Sequence, residues 1–145
     1  MSEDIKQVVR TLFEEVWNQG DTSVADQIFA DSYVAHQSNV ISSINSADEL
    51  KQFIALFRAL SPGLCFTIED QIAEDDKVAT RWNVRIKPGG DGLDSASAAE
   101  GIVVTGISIH RMVDGKLVES WDNWDSMKAF QSMGQDVFES LALNM

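Results

Sequence analysis

Cysteine, histidine and proline are nearly missing from this 145-residue chain, which holds one, two and two of them. A single cysteine excludes an internal disulfide framework, and Cys65, inside the apolar run Leu64-Cys65-Phe66, is expected to be a buried, inert thiol. Two histidines without an HExxH or CxxC spacing leave too few ligands for a built-in zinc or iron site, so no metal is expected. No GxSxG elbow presents a serine nucleophile. The glycines of the 88–100 stretch are not followed by GK[ST], so no phosphate cradle is expected. Basic residues are also scarce: 11 against 23 acidic ones give a net charge of −12. Nucleic acid and anionic membranes are bound by clustered Lys and Arg, so neither is an expected partner. No apolar run approaches the roughly 20 residues that span a bilayer. The acidic, polar start Met1-Ser2-Glu3-Asp4 lacks the layout of a secretory signal, and the cytoplasm is the expected location.

What is present is the composition of one globular domain, taken here as 1–145, with 44% hydrophobic residues. At this length folding buries roughly 68–70% of the unfolded surface, enough for a core with an internal cavity. Ile5, Val8, Val9, Leu12, Phe13, Val16 and Trp17 recur every three or four residues and predict an amphipathic helix ended by Asn18-Gln19-Gly20. Oxygens of Asp21, Thr22 and Ser23 can start a short second helix with Val24, Ala25, Ile28 and Phe29 on its stripe. Ser46 and Glu49 form a capping-box pattern ahead of a third, whose stripe runs from Leu50 to Leu60 and stops at Ser61-Pro62-Gly63.

Beyond Gly63 the period changes to that of strands. Residues Cys65 to Ile72, Val78 to Ile86, Ile102 to Val113 and Leu117 to Trp124 are rich in β-branched and aromatic side chains. Asp114-Gly115 reads as a two-residue hairpin turn and Asp75-Asp76 as a looser one. In the second run Val78, Thr80, Trp82, Val84 and Ile86 share one face, which places Trp82 toward the core, while Arg81, Asn83 and Arg85 share the other. Pro88 to Glu100 reads as a flexible loop, and Met127, Phe130 and Met133 as the stripe of a closing helix. Helices followed by an antiparallel sheet indicate an α+β fold with the helices on one face of a bent sheet.

Chemistry-bearing residues gather at the end of the last strand, Glu119-Ser120-Trp121-Asp122-Asn123-Trp124-Asp125. Alternation puts Ser120, Asp122 and Trp124 on one face and Glu119, Trp121, Asn123 and Asp125 on the other. Tryptophan packing dries a site, and a desolvated carboxylate exchanges protons closer to neutral pH. The plainer alternative is that one acid, Asp125 for instance, caps the helix beginning near Ser126. His110 shares a face with Gly106 and Ser108 and reads either as a hydrogen-bonded core histidine or as a polar partner in a pocket. His36, after Tyr33-Val34-Ala35, reads as a cap or a pocket rim.

In order and spacing, several segments resemble the SnoaL-like polyketide cyclases of the nuclear transport factor 2-like superfamily. They are Asn18-Gln19-Gly20-Asp21, Tyr33 to His36, Phe66-Thr67-Ile68-Glu69-Asp70, Lys77 to Trp82, Thr105-Gly106-Ile107-Ser108, and Arg111 to Trp121 with its Asp-Gly-Lys turn. The resemblance runs nearly end to end. It implies a cone-shaped, curved antiparallel sheet with N-terminal helices packed on its concave face, around an apolar pocket. It also implies cofactor-free chemistry, in which an acidic residue shortly after the Asp-Gly-Lys hairpin acts as general acid and base in an aldol ring closure. That position is Asp122. Two positions that are histidine in the aromatic polyketide cyclases are Ser108 and Ser120 here, and the Gly-Thr-His stretch common after the second strand is replaced by Arg85-Ile86-Lys87-Pro88.

Three readings stay open. The first is a cyclase, isomerase or dehydratase acting on a small apolar carbonyl compound. In it Asp122 moves the proton, His110 or His36 orients the substrate, and Trp82, Trp121, Trp124, Ser108, Ser120 and Asp125 line the site. The second is a binding module of the same fold without chemistry. The third is an interaction protein that pairs through its sheet. The resemblance also implies a homodimer, since members of the superfamily pair through the sheet face on which Arg81, Asn83 and Arg85 lie here.

Overall fold

The computed structural model describes residues 2–37, 43–86 and 101–128. The first helix is present in two parts: α1 (Ser2–Thr11) continues into a π-helical turn, Leu12–Trp17, where the Asn18 amide donates to the Phe13 carbonyl five residues back at 3.1 Å. α2 (Thr22–Ile28) starts on Asp21, whose carboxylate accepts from the Ser23 and Val24 amides at 3.1 and 3.3 Å. α3 (Ala47–Leu60) starts on Ser46, whose Oγ accepts from the Glu49 amide at 3.1 Å, half of the expected capping box.

The loop between the π turn and α2 is locked from two sides. Arg58 of α3 donates from Nη1 to the Trp17 and Asn18 carbonyls at 2.6 and 2.7 Å, which supplies partners to groups a helix end leaves unpaired. Gly20 has φ +72°, and a Cβ there would sit 2.9 Å from Arg58 Nε, so both conformation and space require glycine.

Five strands form one sheet in the order β1-β5-β4-β3-β2. They are β1 (Phe29–Gln37), β2 (Cys65–Glu74), β3 (Lys77–Ile86), β4 (Ile102–Val113) and β5 (Lys116–Trp124). The last four match the sequence reading within a few residues. β1 is additional: it follows α2 without a break and pairs parallel with β5, with Ala35 opposite Ser120 and Gln37 opposite Asp122. The Asp114-Gly115 turn has both residues at positive φ, +52° and +80°, the conformation that matches strand twist in a tight hairpin.

α1, the π turn and α3 cover one face of the sheet, and the buried side chains of both layers form a single core. β3 alternates as the sequence requires, with Val78, Thr80, Trp82, Val84 and Ile86 all buried. Cys65 departs from expectation. It is exposed, because it opens edge strand β2 and points away from the face that Phe66 turns inward. The loop read over 88–100 and the closing helix past residue 128 lie outside the described residues.

Register irregularities in β2 and β5 re-aim side chains. In β5 Arg111 pairs with Glu119 but Met112 pairs with Leu117, so Val118 is an extra residue. That bulge shifts the inward set from Leu117 to Ser120, Asp122 and Trp124.

Gly106 sits opposite Trp82 in the β3–β4 ladder, and the indole lies across it: a Cβ on Gly106 would fall 2.3 Å from Trp82 Cζ2. Gly106→Ala should therefore force the ring aside and cost about 1–3 kcal/mol, as overpacking of a tight core does. Urea unfolding is the measurement, and an unchanged midpoint with unchanged slope would show that the indole is free to move.

Candidate active site

Between the helices and the inward face of the sheet lies a cavity with about 80 Å³ that a water-sized sphere can occupy. One water needs about 10–15 Å³ by that measure, so the space holds several waters or a small organic molecule. Its walls are aromatic. Phe13 and Trp17 come from the π turn, Phe53 and Phe57 from α3, Phe66 from β2 and Trp82 from β3. Phe66 packs between the others, with ring centroids 5.2 Å from Phe13, 5.0 Å from Trp17 and 5.1 Å from Trp82. Asn18 holds Phe66 there by a two-way bond to its backbone, donating at 3.0 Å and accepting at 2.6 Å.

The polar groups of the cavity lie on the neighbouring strands β1, β4 and β5: Tyr33, Gln37, Ser108, His110 and Asp122, with Trp124 at the end. Ser120 lies beneath them, fully buried. Its Oγ donates to Asp122 Oδ2 at 3.0 Å, so the single hydroxyl proton is used and the Tyr33 hydroxyl, 2.6 Å away, is the donor to Ser120. Gln37 Nε2 also donates to Asp122 Oδ2, at 3.0 Å. The Gln37 amide is oriented by Trp124, whose indole N–H can only donate and reaches Gln37 Oε1 at 3.3 Å. Asp122 thus receives a relay Tyr33 to Ser120 from below and the amide of Gln37 from the side.

Sequence-named residues divide between the two faces. Asp122, His110, Trp82, Ser108 and Trp124 line the cavity. Ser108 is committed to structure, since its Oγ accepts from Trp82 Nε1 at 3.0 Å. His36, Trp121 and Asp125 are not among the lining residues. His36 alternates with inward Ala35 and Gln37, stacks on exposed Trp121 (5.4 Å, 23°), and bonds Glu119 at 2.7 Å. Glu119 is bonded in turn by Arg111 at 3.1 Å, and these two partners, His36 first, hold its carboxyl below the usual range. An orienting role for His36 in the cavity is therefore corrected: strand parity turns it away. Asp125 accepts from the Lys128 amide at 3.1 Å, the capping role that was the plainer alternative. Tyr33 and Gln37 are the site residues the sequence analysis did not single out, because their strand was not recognised.

A family model, SnoaL-like polyketide cyclase, matches residues 7–133. The chain belongs to that family. A search of curated proteins returns no match. Among solved structures this SnoaL-like chain resembles a protein provisionally named a SnoaL-like polyketide cyclase from Jannaschia sp. CCS1, at 18% identity and TM-score 0.77 over 91% of this chain and 92% of that one. It also resembles one provisionally named a polyketide cyclase from Acidithiobacillus ferrooxidans, at 22% identity and TM-score 0.76 over 93% and 97%. A third is AclR from Streptomyces galilaeus, provisionally a hydroxylase, at 22% identity and TM-score 0.75 over 93% and 98%. At such identities the likeness establishes the fold alone.

Two buried groups of this SnoaL-like site are held in their neutral forms. Burial, with the Asp122 charge adding to it, pushes the Tyr33 phenol far above its ordinary range, so it stays a donor. Burial pushes His110 below its ordinary value of 6.5, against the pull of Asp122. The unfolded chain therefore binds a proton at His110 at a pH where the folded chain does not. Stability from this group is complete above about pH 6.5 and declines as pH falls toward the depressed folded value. Urea midpoints should drop between pH 7.5 and 5.5 in the wild type, and the drop should shrink in His110→Asn. Equal slopes in the two proteins would show that His110 does not carry this dependence.

Proposed function

We propose that the protein is a cofactor-free proton-transfer enzyme of the cyclase or isomerase type, acting on a small, apolar, carbonyl-containing molecule, with Asp122 as the group that moves the proton. The observation that carries this reading is the set of donors converging on Asp122 in an aromatic cavity. Ser120 and Gln37 both donate to it and hold its carboxyl group in place against the cavity, where it acts first as a base. It takes the proton from the carbon beside a carbonyl, and the electron pair moves into the carbonyl as an enolate. In a ring closure the enolate carbon attacks a second carbonyl, and the resulting alkoxide takes the proton back from Asp122. In an isomerisation the proton returns to another carbon. Tyr33 and Ser120 position the carboxylate.

A binding role without turnover is the second reading. It is favoured by Ser108 and Ser120, whose hydroxyls are occupied by Trp82 and Tyr33 within the protein. The reading also carries a homodimer, supported by outward-facing Ile107, Ile109 and Trp121 side by side on β4 and β5. The unpaired, exposed Cys65 suits the reducing cytoplasm.

Deuterium exchange at the carbon beside the carbonyl of 1-indanone, followed by NMR in D2O, tests the base directly. Asp122→Asn keeps the shape and should slow enzyme-dependent exchange by about 10²–10⁴-fold with folding unchanged. Exchange at the wild-type rate would remove Asp122 from the mechanism, and indanone binding without any exchange would favour the binding role. Light scattering should give twice the chain mass for the wild type, and Ile109→Lys should shift it toward one. A concentration-independent single-chain mass would overturn the dimer.

A further inference from the structure

We propose that His110 is the substrate's polar anchor. On this proposal the cavity selects an uncharged, flat molecule whose hydroxyl, enol or carbonyl oxygen bonds the His110 ring, and it rejects carboxylates and phosphates. The inference deepens the proposed function and rests on the cavity being the substrate site.

His110 is 2% exposed and its Nδ1 has no hydrogen-bond partner among the described residues. A buried polar atom without a partner is costly and uncommon in a folded protein. The neighbouring polar side chains are engaged with one another: Tyr33 with Ser120, Ser108 with Trp82, and Gln37 with both Asp122 and Trp124. His110 is the exception, and it lines the cavity. Its ring is held by the edge-on face of Phe13, with centroids 6.2 Å apart at 88°. Along the ladder His110 faces Ser120, one inward step from Asp122. A ligand resting on the aromatic walls can therefore meet both groups from one side. Burial keeps the ring neutral, so it offers a hydrogen bond without a charge.

The charge of the lining sets the rest of the specificity. Among the described residues no lysine or arginine lines the cavity, and its one carboxylate is Asp122. An anionic ligand would lose its hydration without a counter-charge and would face Asp122. The aromatic walls suit flat rings. A hydroxyl suits His110 in either tautomer, because it donates to a bare nitrogen and accepts from a protonated one.

Phenol, toluene and benzoate are one-ring probes that separate these contributions, and NMR titration of the tryptophan indole N–H signals reads their binding. Trp17, Trp82 and Trp124 line the cavity and Trp121 does not, which makes Trp121 the internal control. Phenol should bind at least about 3-fold more tightly than toluene, the size of one net hydrogen bond, and benzoate more weakly than toluene. His110→Leu should erase the phenol preference and leave toluene binding within about twofold. His110→Asn, which keeps a polar atom near Nδ1, should restore it, and it covers the case in which the leucine variant does not fold. Asp122→Asn should retain the preference. Loss of the preference in Asp122→Asn but not in His110→Leu would overturn the anchor while leaving the base reading intact. Benzoate binding as well as phenol would overturn the charge selection. No probe moving the cavity indoles would remove the cavity as the substrate site, and both proposals with it.

Discussion

The hydrogen bond between the Tyr33 hydroxyl and Ser120 Oγ ties β1 to β5 inside the protein, and the arrangement of the cavity follows from it. Tyr33 is buried, so its hydroxyl must find a partner, and the parallel pairing of the two strands supplies one. Once Tyr33 donates to Ser120, the Ser120 proton is directed to Asp122. The same register brings Gln37 opposite Asp122. A bond that satisfies a buried phenol thereby also aims a carboxylate into an aromatic space. Losing the Tyr33 hydroxyl would strand Ser120 and loosen Asp122 together, which is the usual behaviour of a connected polar network.

The cavity carries features that a core built only for stability lacks. It leaves space where side chains are elsewhere closely packed, and among the described residues it leaves His110 Nδ1 without a partner. The helix above it adopts a π turn where an α-helix is the default. Departures of this kind concentrate at functional sites, because the surrounding packing must over-determine them. Here the compensation is visible. Arg58 and Gly20 lock the end of the π turn, Asn18 pins Phe66, and the Trp82 indole fills the groove that Gly106 leaves open.

The two faces of the sheet have separate chemistries although they alternate residue by residue. Inward lie Asp122, His110 and Ser108 among aromatic rings. Outward lie the His36, Glu119 and Arg111 cluster and the exposed isoleucines of β4. Both histidines come from strands, and only parity separates a cavity residue from a surface one.

Periodicity alone determined the three helices and four of the strands, the Asp114-Gly115 turn, and the inward set of β3 with Trp82 in it. Those features depend on side-chain spacing and turn chemistry within a few residues, which a sequence displays directly. The grouping of Ser120, Asp122 and Trp124 on one side of β5 was legible for the same reason, and the family resemblance singled out Asp122. Which side that was depended on the bulge at Val118, and a bulge is set by pairing with β4 rather than by β5 itself. β1 was hidden because its pairing is parallel and distant in sequence, so no local turn announces it and nothing nearby in the chain marks Gln37 and Tyr33 as facing the cavity. Cys65 is outside the core because β2 is an edge strand, and His36 faces solvent because of its place in the β1 register; neither is encoded by near neighbours. Contacts made at long range in the chain decided the site, while contacts made at short range decided the elements that carry it.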